Sequence, residues 1–471
     1  MLDSATMARA MGMLLTAAAI CSGGAAAPVQ AQARAAAAVA DRAIERMGGE
    51  AALRSVERVR FDMMTQWQRT GFRDMPWTDR PSFEPHVDVR DYRIPAWRNT
   101  RDFGARSITN VVRDSVAITD FGSGFQPLSV AYVDERRELF AYTPDRLVLL
   151  VRDAPDLTMA GDTLIGGEPH ILLAATLAGR LPATVAFHAG TGLPTRLRFR
   201  AGHPNDFGLV PWGEMWVEVW YSSWRTFGDI SIPAQWDILR VGRPYKRMTV
   251  RTAAFNPTFA PDSFTVPDPL RQQFIDTRRP MHDLHADSVT LAAPGLVAIH
   301  GFGSPAGAVQ LGDEWLLLEA GHTPLNLERG EAALADNGVP GIAAAIVVAA
   351  RPGNAGILDL VRRSVPIYTS RAAESFVNVM LANAGERWRS ITVVTEARWV
   401  EIGGERVRLE PMDLPDLPGS LLLYVPRLAW VYAADAVTPL DVRIALDHAR
   451  ERGWNVAAVG TARALWSTVA R

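Results

Sequence analysis

The chain has 471 residues, 49 basic against 51 acidic side chains for a net charge of −2, and 48% hydrophobic residues. That length leaves room for two cores at roughly 100–200 residues each, and the charge balance excludes binding to nucleic acid or an anionic surface by bulk attraction. Lys246 is the only lysine, a bias read as base composition rather than phosphate recognition.

Residues 1–33 carry the order of a secretory signal: Arg9, an apolar run over 11–20, then small residues ending in Ala31-Gln32-Ala33. The run is shorter than the roughly 20 residues that span a bilayer, so no membrane span is expected once the signal is removed. Cleavage after Ala33 would also remove Cys21, the only cysteine, and leave a mature chain without disulfides. The expected location is periplasmic or secreted, the alternative being a lipoprotein anchored through Cys21.

Residues 35–47 read as an alanine-rich helix stopped by Gly48-Gly49. A strand follows over 56–67, and helical periodicity returns over 132–152 with a break at Thr143-Pro144. Strand candidates follow at 168–174, 183–188, 195–200, 230–240 and 246–254. The clearest strand is 214–221, where Met215, Val217, Val219 and Tyr221 share one face while Trp216 and Trp220 flank Glu218 on the other. Large apolar residues on both faces predict cover on both sides or a cavity, with Trp216 and Trp220 as candidate lining for an apolar ligand such as a lipid.

The phrase TGLPTRLRF, the tryptophan-rich strand, GDISIPAQWDI and a last strand ending in FTVPD together resemble the half-barrel of periplasmic lipoprotein carriers. The resemblance covers 34–268 and implies a curved antiparallel sheet around a helix-plugged apolar cavity. Residues 269–289 are polar and proline-marked and read as a linker. Its His282 and His285 are expected to be solvated rather than metal-bound.

The remaining chain, 290–471, starts with short strands at 296–299, 308–311 and 315–319. Residues 342–350 are an unbroken apolar run, the pattern of a strand covered on both faces. Arg-Pro-Gly-Asn at 351–354 breaks it, Ile357, Leu358, Leu360 and Val361 give a helical stripe, and 365–368 returns as a strand. With LLLEAGHTPLNLERGEAAL at 316–334 and GSLLLYVPRLAWVYAADAV at 419–437, this pattern resembles the metallo-β-lactamase fold, in the secreted branch that follows a carrier-like half-barrel. The resemblance implies an α+β chain: an antiparallel half-barrel with helices, then an αββα sandwich.

In that family the turn after the first strand carries a His-x-His-x-Asp-His motif that binds zinc. Here the matching positions are Ala349, Arg351, Gly353 and Asn354, or Val348, Ala350, Pro352 and Gly353 in the neighbouring register. Neither is a ligand set for zinc, which takes about three protein ligands, mainly neutral imidazole. Asp435 matches the family's bridging aspartate, and Asp416 stands where a further histidine is expected. No cofactor and no metal are therefore expected, and catalytic residues cannot be assigned. The sequence reads as a non-catalytic binding or scaffold protein with protein partners undefined; the alternative is a hydrolase of the same superfamily with an altered metal site.

Overall fold

The computed structural model describes residues 26–469 apart from 69–80, 105, 178–180, 203–213, 241, 278–287, 301–305, 322–323, 349–353, 416, 437 and 462–463. Most of the expected signal lies outside the described residues. Helix α1 (Ala26–Arg46) runs across the expected cleavage point after Ala33.

A 13-stranded sheet takes up the first part of the chain. Its strands are β1 (Arg58–Gln68), β2 (Pro81–Asp91), β3 (Ala96–Asp102), β4 (Ser107–Arg113), β5 (Val116–Asp120), β6 (Phe125–Pro127) and β7 (Thr158–Ile165). They continue as β8 (Glu168–Leu177), β9 (Leu181–His188), β10 (Pro194–Gly202), β11 (Glu214–Phe227), β12 (Ile230–Arg240) and β13 (Arg243–Phe255). The order is β6-β5-β4-β3-β2-β1-β13-β12-β11-β10-β9-β8-β7, every pairing antiparallel. Because β6 and β7 are the two edges, the chain between them must cross the sheet, and it does so as α3 (Ala131–Tyr142) and α4 (Pro144–Arg152), after the short α2 (Glu50–Arg54). Leu147, Val148 and Val151 of α4 are fully buried, beside Ala36, Ala40 and Ala43 of α1. Small alanines let α1 lie close to α4.

The first part of the segment read as a linker forms α5 (Asp268–Thr277), because Leu270 and Phe274, one helical turn apart, pack on the core, Phe274 almost completely buried. His282 and His285 lie outside the described residues.

The rest of the chain makes two smaller sheets. One is β14 (Ser288–Ala293), β15 (Leu296–His300), β16 (Ala306–Leu311), β17 (Glu314–Leu318), β18 (Ala344–Val347), β19 (Ile367–Ser370) and β20 (Ile391–Val394), in chain order. The other is β21 (Arg398–Ile402), β22 (Glu405–Leu414), β23 (Leu417–Val425), β24 (Trp430–Ala433), β25 (Ala458–Thr461) and β26 (Ser467–Thr468). Val309, Leu311, Leu316 and Leu318 of the first meet Leu409, Leu421, Leu423 and Trp430 of the second in one shared core. Helices α6 (Pro324–Asp336), α7 (Ile357–Arg362), α8 (Arg371–Ala384) and α9 (Pro439–Glu451) complete the chain, and α8 also lies against β11 of the large sheet.

The expected α+β class with an αββα sandwich is overturned: the chain is 48% strand and 26% helix, with large antiparallel sheets. The physical reason is connectivity. Parallel pairing, which demands helical crossovers, is confined to β17 through β20 and to β24 with β25. Hairpins make nearly all the remaining connections, so the sequence spends its residues on strands.

Two hairpin tips lock the smaller sheets together. Gly312 and Gly403 both have positive φ, 60° and 57°. A Cβ on Gly312 would sit 1.8 Å from the Gly403 oxygen, and one on Gly403 1.9 Å from the Leu311 oxygen. The Gly312 N–H donates to Glu405 Oε1 at 2.8 Å and the Gly403 N–H to Glu314 Oε2 at 2.9 Å. Gly312→Ala is expected to cost roughly 2–4 kcal/mol through a strained φ and a backbone collision. Gly338→Ala, positive in φ but with open space around it, should cost about 1 kcal/mol; equal losses in urea unfolding would refute the lock.

Candidate functional site

Strand β2 inverts the usual pattern of a half-buried strand. Glu84, His86, Asp88 and Arg90 alternate along one face and are 4%, 7%, 1% and 0% exposed. The intervening Val87 and Val89 pack on the opposite face with Phe259 and Phe264. Period-2 geometry therefore sends four ionisable side chains under α3. The register adds polar neighbours: Thr65 lies opposite Glu84, Asn99 opposite Asp88, Asn110 opposite Asn99, and Thr119 opposite Asn110. All four are buried.

From the other side the wall is closed by Lys246. Between β12 and β13 the register slips, with Ile238 opposite Lys246 and Leu239 opposite Pro244, so Tyr245 is the extra residue of a β-bulge. A bulge re-aims side chains, and here the adjacent Tyr245 and Lys246 are both buried. Lys246 Nζ pairs with Glu135 of α3 and lies 4.1 Å from the centre of the Trp67 ring and 5.3 Å from that of Tyr245. The one lysine of the chain is thus an ammonium held by a carboxylate and two aromatic faces.

Every charge in this wall has an opposite partner. Arg90 Nε donates to Asp88 Oδ1 at 2.7 Å, and its guanidinium lies 5.1 Å from the Phe61 ring. Asp88 Oδ2 also accepts from Trp97 Nε1 at 3.0 Å. Arg90 Nη1 reaches Thr143, tying β2 to the start of α4. Arg101 lies 3.5 Å from Glu84. Together they border a partly open cavity of about 70 Å³ lined by Thr65, Trp67, His86, Asn99, Arg101 and Lys246 among others.

Burial lowers the pKa of His86, so its imidazole is neutral, and its Nδ1 lies 3.3 Å from the Glu84 carbonyl oxygen. Glu138, one turn along α3 from Glu135, is pushed up to about 7, by burial above all; Arg240 and Lys246 oppose the rise and Glu135 adds to it. The folded protein therefore holds a proton on Glu138 that the unfolded chain releases above about 4.5. That contribution to stability is complete below about 4.5 and is lost as pH rises through about 7. His86 acts with the opposite sign, its contribution falling away as pH drops below 6.5. Glu138→Gln should accordingly remove a loss of roughly 1–3 kcal/mol between those limits, read as the pH dependence of the wild-type melting temperature minus that of the variant; parallel curves would refute the assignment.

The sites expected from the sequence lie elsewhere. Trp216 and Trp220 are half-buried and face away from the helices, while Val217, Val219 and Tyr221 point inward. Parity places the two tryptophans on the face opposite Val217 and Val219, away from the enclosed core. They are stacked instead under arginines of β10, Arg198 4.1 Å from the Trp216 ring and Arg196 5.2 Å from the Trp220 ring. Trp220 Nε1 donates to Glu218 at 3.2 Å. Trp220 also lines an open cleft of about 450 Å³ with Leu239, Pro244 and Arg247.

Ala349, Arg351, Gly353 and Asp416 lie outside the described residues. Asn354 is buried: its Oδ1 accepts from the Ala320 N–H at 3.1 Å and its Nδ2 donates to Glu319 Oε2 at 2.7 Å. Glu319, fully buried with φ 64°, accepts in turn from the Val348 N–H at 3.3 Å and from Tyr432 Oη at 3.4 Å. Asp435 Oδ2 accepts from Ser420 Oγ at 3.5 Å. Asn354 is thus bonded to Glu319 and Asp435 lies beside a hydroxyl, with no imidazole among their described contacts. Among the described residues no cluster of three or more His, Cys, Asp or Glu is arranged to hold a metal.

Part of the chain is similar to each of the two groups that the sequence resembles. Half of it, 50%, aligns with 98% of a LolA superfamily protein from Nitrosomonas europaea at 9% identity and TM-score 0.31. A DUF1329 family protein from Desulfovibrio piger aligns over 96% of its length with 48% of this chain, at 10% identity and TM-score 0.31. A metallo-β-lactamase from Pontibacter korlensis aligns over 93% of its length with 38% of this chain, at 14% identity and TM-score 0.30. No protein-family model matches the sequence, and no curated protein does. Among the described residues no helix is long and apolar enough to cross a membrane.

Sequence reasoning passed over the polar wall, although a signal for it is present. FEPHVDVRD, 83–91, alternates ionisable and apolar residues with period 2, and the lone lysine falls in the strand that completes the same wall.

Proposed function

We propose that this is an exported, non-catalytic binding protein of two domains, 34–268 and 290–471, in which the inner cavity of the large sheet holds a small ligand and the second domain serves as scaffold. The observation that carries the reading is the cavity wall itself. Burying Glu84, His86, Asp88, Arg90 and Lys246 in one place works against stability even when charges are paired. Natural cores keep such groups where recognition needs them. In the second domain Asn354 and Glu319 satisfy each other, which supports a structural role for the region where the resemblance would place zinc.

A second reading is favoured by the outer cleft beside Trp220. Its roughly 450 Å³ and its Leu239 and Pro244 floor suit an apolar ligand such as an acyl chain, for which pockets of about 300–1,000 Å³ are usual.

Both readings are tested on the purified mature protein by metal analysis, by assays with a β-lactam, a lactone and a phosphomonoester, and by native mass spectrometry. The expected outcome is zinc well below one equivalent, no hydrolysis above background, and a small adduct lost in Asn99→Leu. A heavier acyl adduct lost in Trp220→Ala would transfer the binding role to the outer cleft. Stoichiometric zinc with hydrolysis abolished by Asp435→Ala would overturn the non-catalytic reading and establish the hydrolase with an altered metal site.

A further inference from the structure

Resting on the reading of the inner cavity as a binding site, the geometry points to its ligand class: a small neutral polyol, bound through hydrogen bonds to Thr65, His86, Asn99 and Arg101. The argument starts from charge. Lys246 is matched by Glu135, Arg101 by Glu84, and Arg90 by Asp88. The lining carries three carboxylates, Glu84, Asp88 and Glu135, and two bases, Arg101 and Lys246, and all are already paired, Asp88 with Arg90 from outside the lining. A charged ligand of either sign would have to break an ion pair that was desolvated on folding. An uncharged ligand disturbs none of them.

What the wall leaves open is a set of hydrogen-bonding groups. Thr65 Oγ1 is buried and has no partner among the described residues, and the same holds for Arg101 Nε. His86 uses Nδ1 toward the Glu84 carbonyl oxygen, which leaves its neutral Nε2 as an acceptor. The Asn99 amide, 7% exposed, lines the cavity beside them. Donors and acceptors are thus mixed around one small space. Hydroxyl groups, which donate and accept, are the complement to such a wall. Trp67 and Trp97 beside them offer ring surface to the C–H edges of the same molecule.

Size narrows the class. At roughly 10–15 Å³ per water-sized centre, 70 Å³ corresponds to roughly five to seven non-hydrogen atoms, the scale of glycerol or of the diol end of a longer polyol.

The test is a titration of ¹⁵N-labelled mature protein, following the indole N–H of Trp97, which donates to Asp88 in the wall. Glycerol, acetate and methylammonium are the probes, neutral, anionic and cationic at similar size. Glycerol should give a saturable shift with a Kd on the order of 1 mM, weakened at least tenfold in Asn99→Leu and in Thr65→Val, while acetate and methylammonium give only linear drift. Thr65→Val removes one hydroxyl at nearly constant shape, so it keeps the test valid if Asn99→Leu misfolds. Saturation by acetate or methylammonium in place of glycerol would overturn the polyol class and leave the binding site standing. Linear drift with all three, unchanged in the variants, would overturn the site as well.

Discussion

The ammonium of Lys246, held between Glu135 and the rings of Trp67 and Tyr245, is the constraint on which the large sheet depends. A buried ammonium without a counter-charge would cost several kcal/mol, so helix α3 must lie where Glu135 can reach it. That requirement ties α3, which lies against β4 and β5, to β13, and sets Tyr132, Glu135 and Leu139 on the cavity. The bulge at Tyr245 follows from the same contact, since it brings both Tyr245 and Lys246 inward. Arginine is the ordinary base of this chain, yet a planar guanidinium is larger and forked. A compact point charge is what fits between two rings and one carboxylate.

Paired charges then spread along β2. Arg90, Asp88 and Trp97 form one buried chain of contacts, and Arg101 with Glu84 another. In a low-dielectric interior such pairs hold geometry more than they add stability. The result is a wall whose charges are internally balanced and whose spare hydrogen-bonding capacity lies on Thr65, His86, Asn99 and Arg101. At the other end of the chain Glu319 plays a comparable part: with φ 64° and complete burial it joins Asn354, the Val348 backbone and Tyr432. Gly356 permits this closeness, because a Cβ there would fall 1.9 Å from the Ala320 oxygen.

The sequence made several elements legible. The helix over 35–47, the break at Thr143-Pro144, the strand over 214–221 and the strand-helix-strand order after 342 all have local causes and all appear. The class did not follow from them, since whether neighbouring strands pair through hairpins or crossovers is a tertiary choice that periodicity does not record. The facing of Trp216 and Trp220 was readable as opposite to Val217 and Val219, but which face meets the helices depends on where α3 and α4 pack. The polar wall was the larger omission. Alternation of apolar residues is the usual mark of a buried strand face, while in β2 the inward series is Glu84, His86, Asp88 and Arg90, a pattern that burial alone would assign to solvent. Cross-strand partners such as Thr65, Asn99 and Lys246 come from strands distant in sequence and acquire meaning only through register.

The most direct measurement is a double-mutant cycle on Lys246→Met and Glu135→Gln, with stability of the wild type, both single variants and the double variant taken from denaturant unfolding. If the pair organises the inner wall, each single change strands a buried partner, and the double variant should recover most of the loss, giving a coupling of about 2–4 kcal/mol. Additive losses, with a coupling within about 0.5 kcal/mol of zero, would show that Lys246 and Glu135 do not hold the cavity together and would contradict the account.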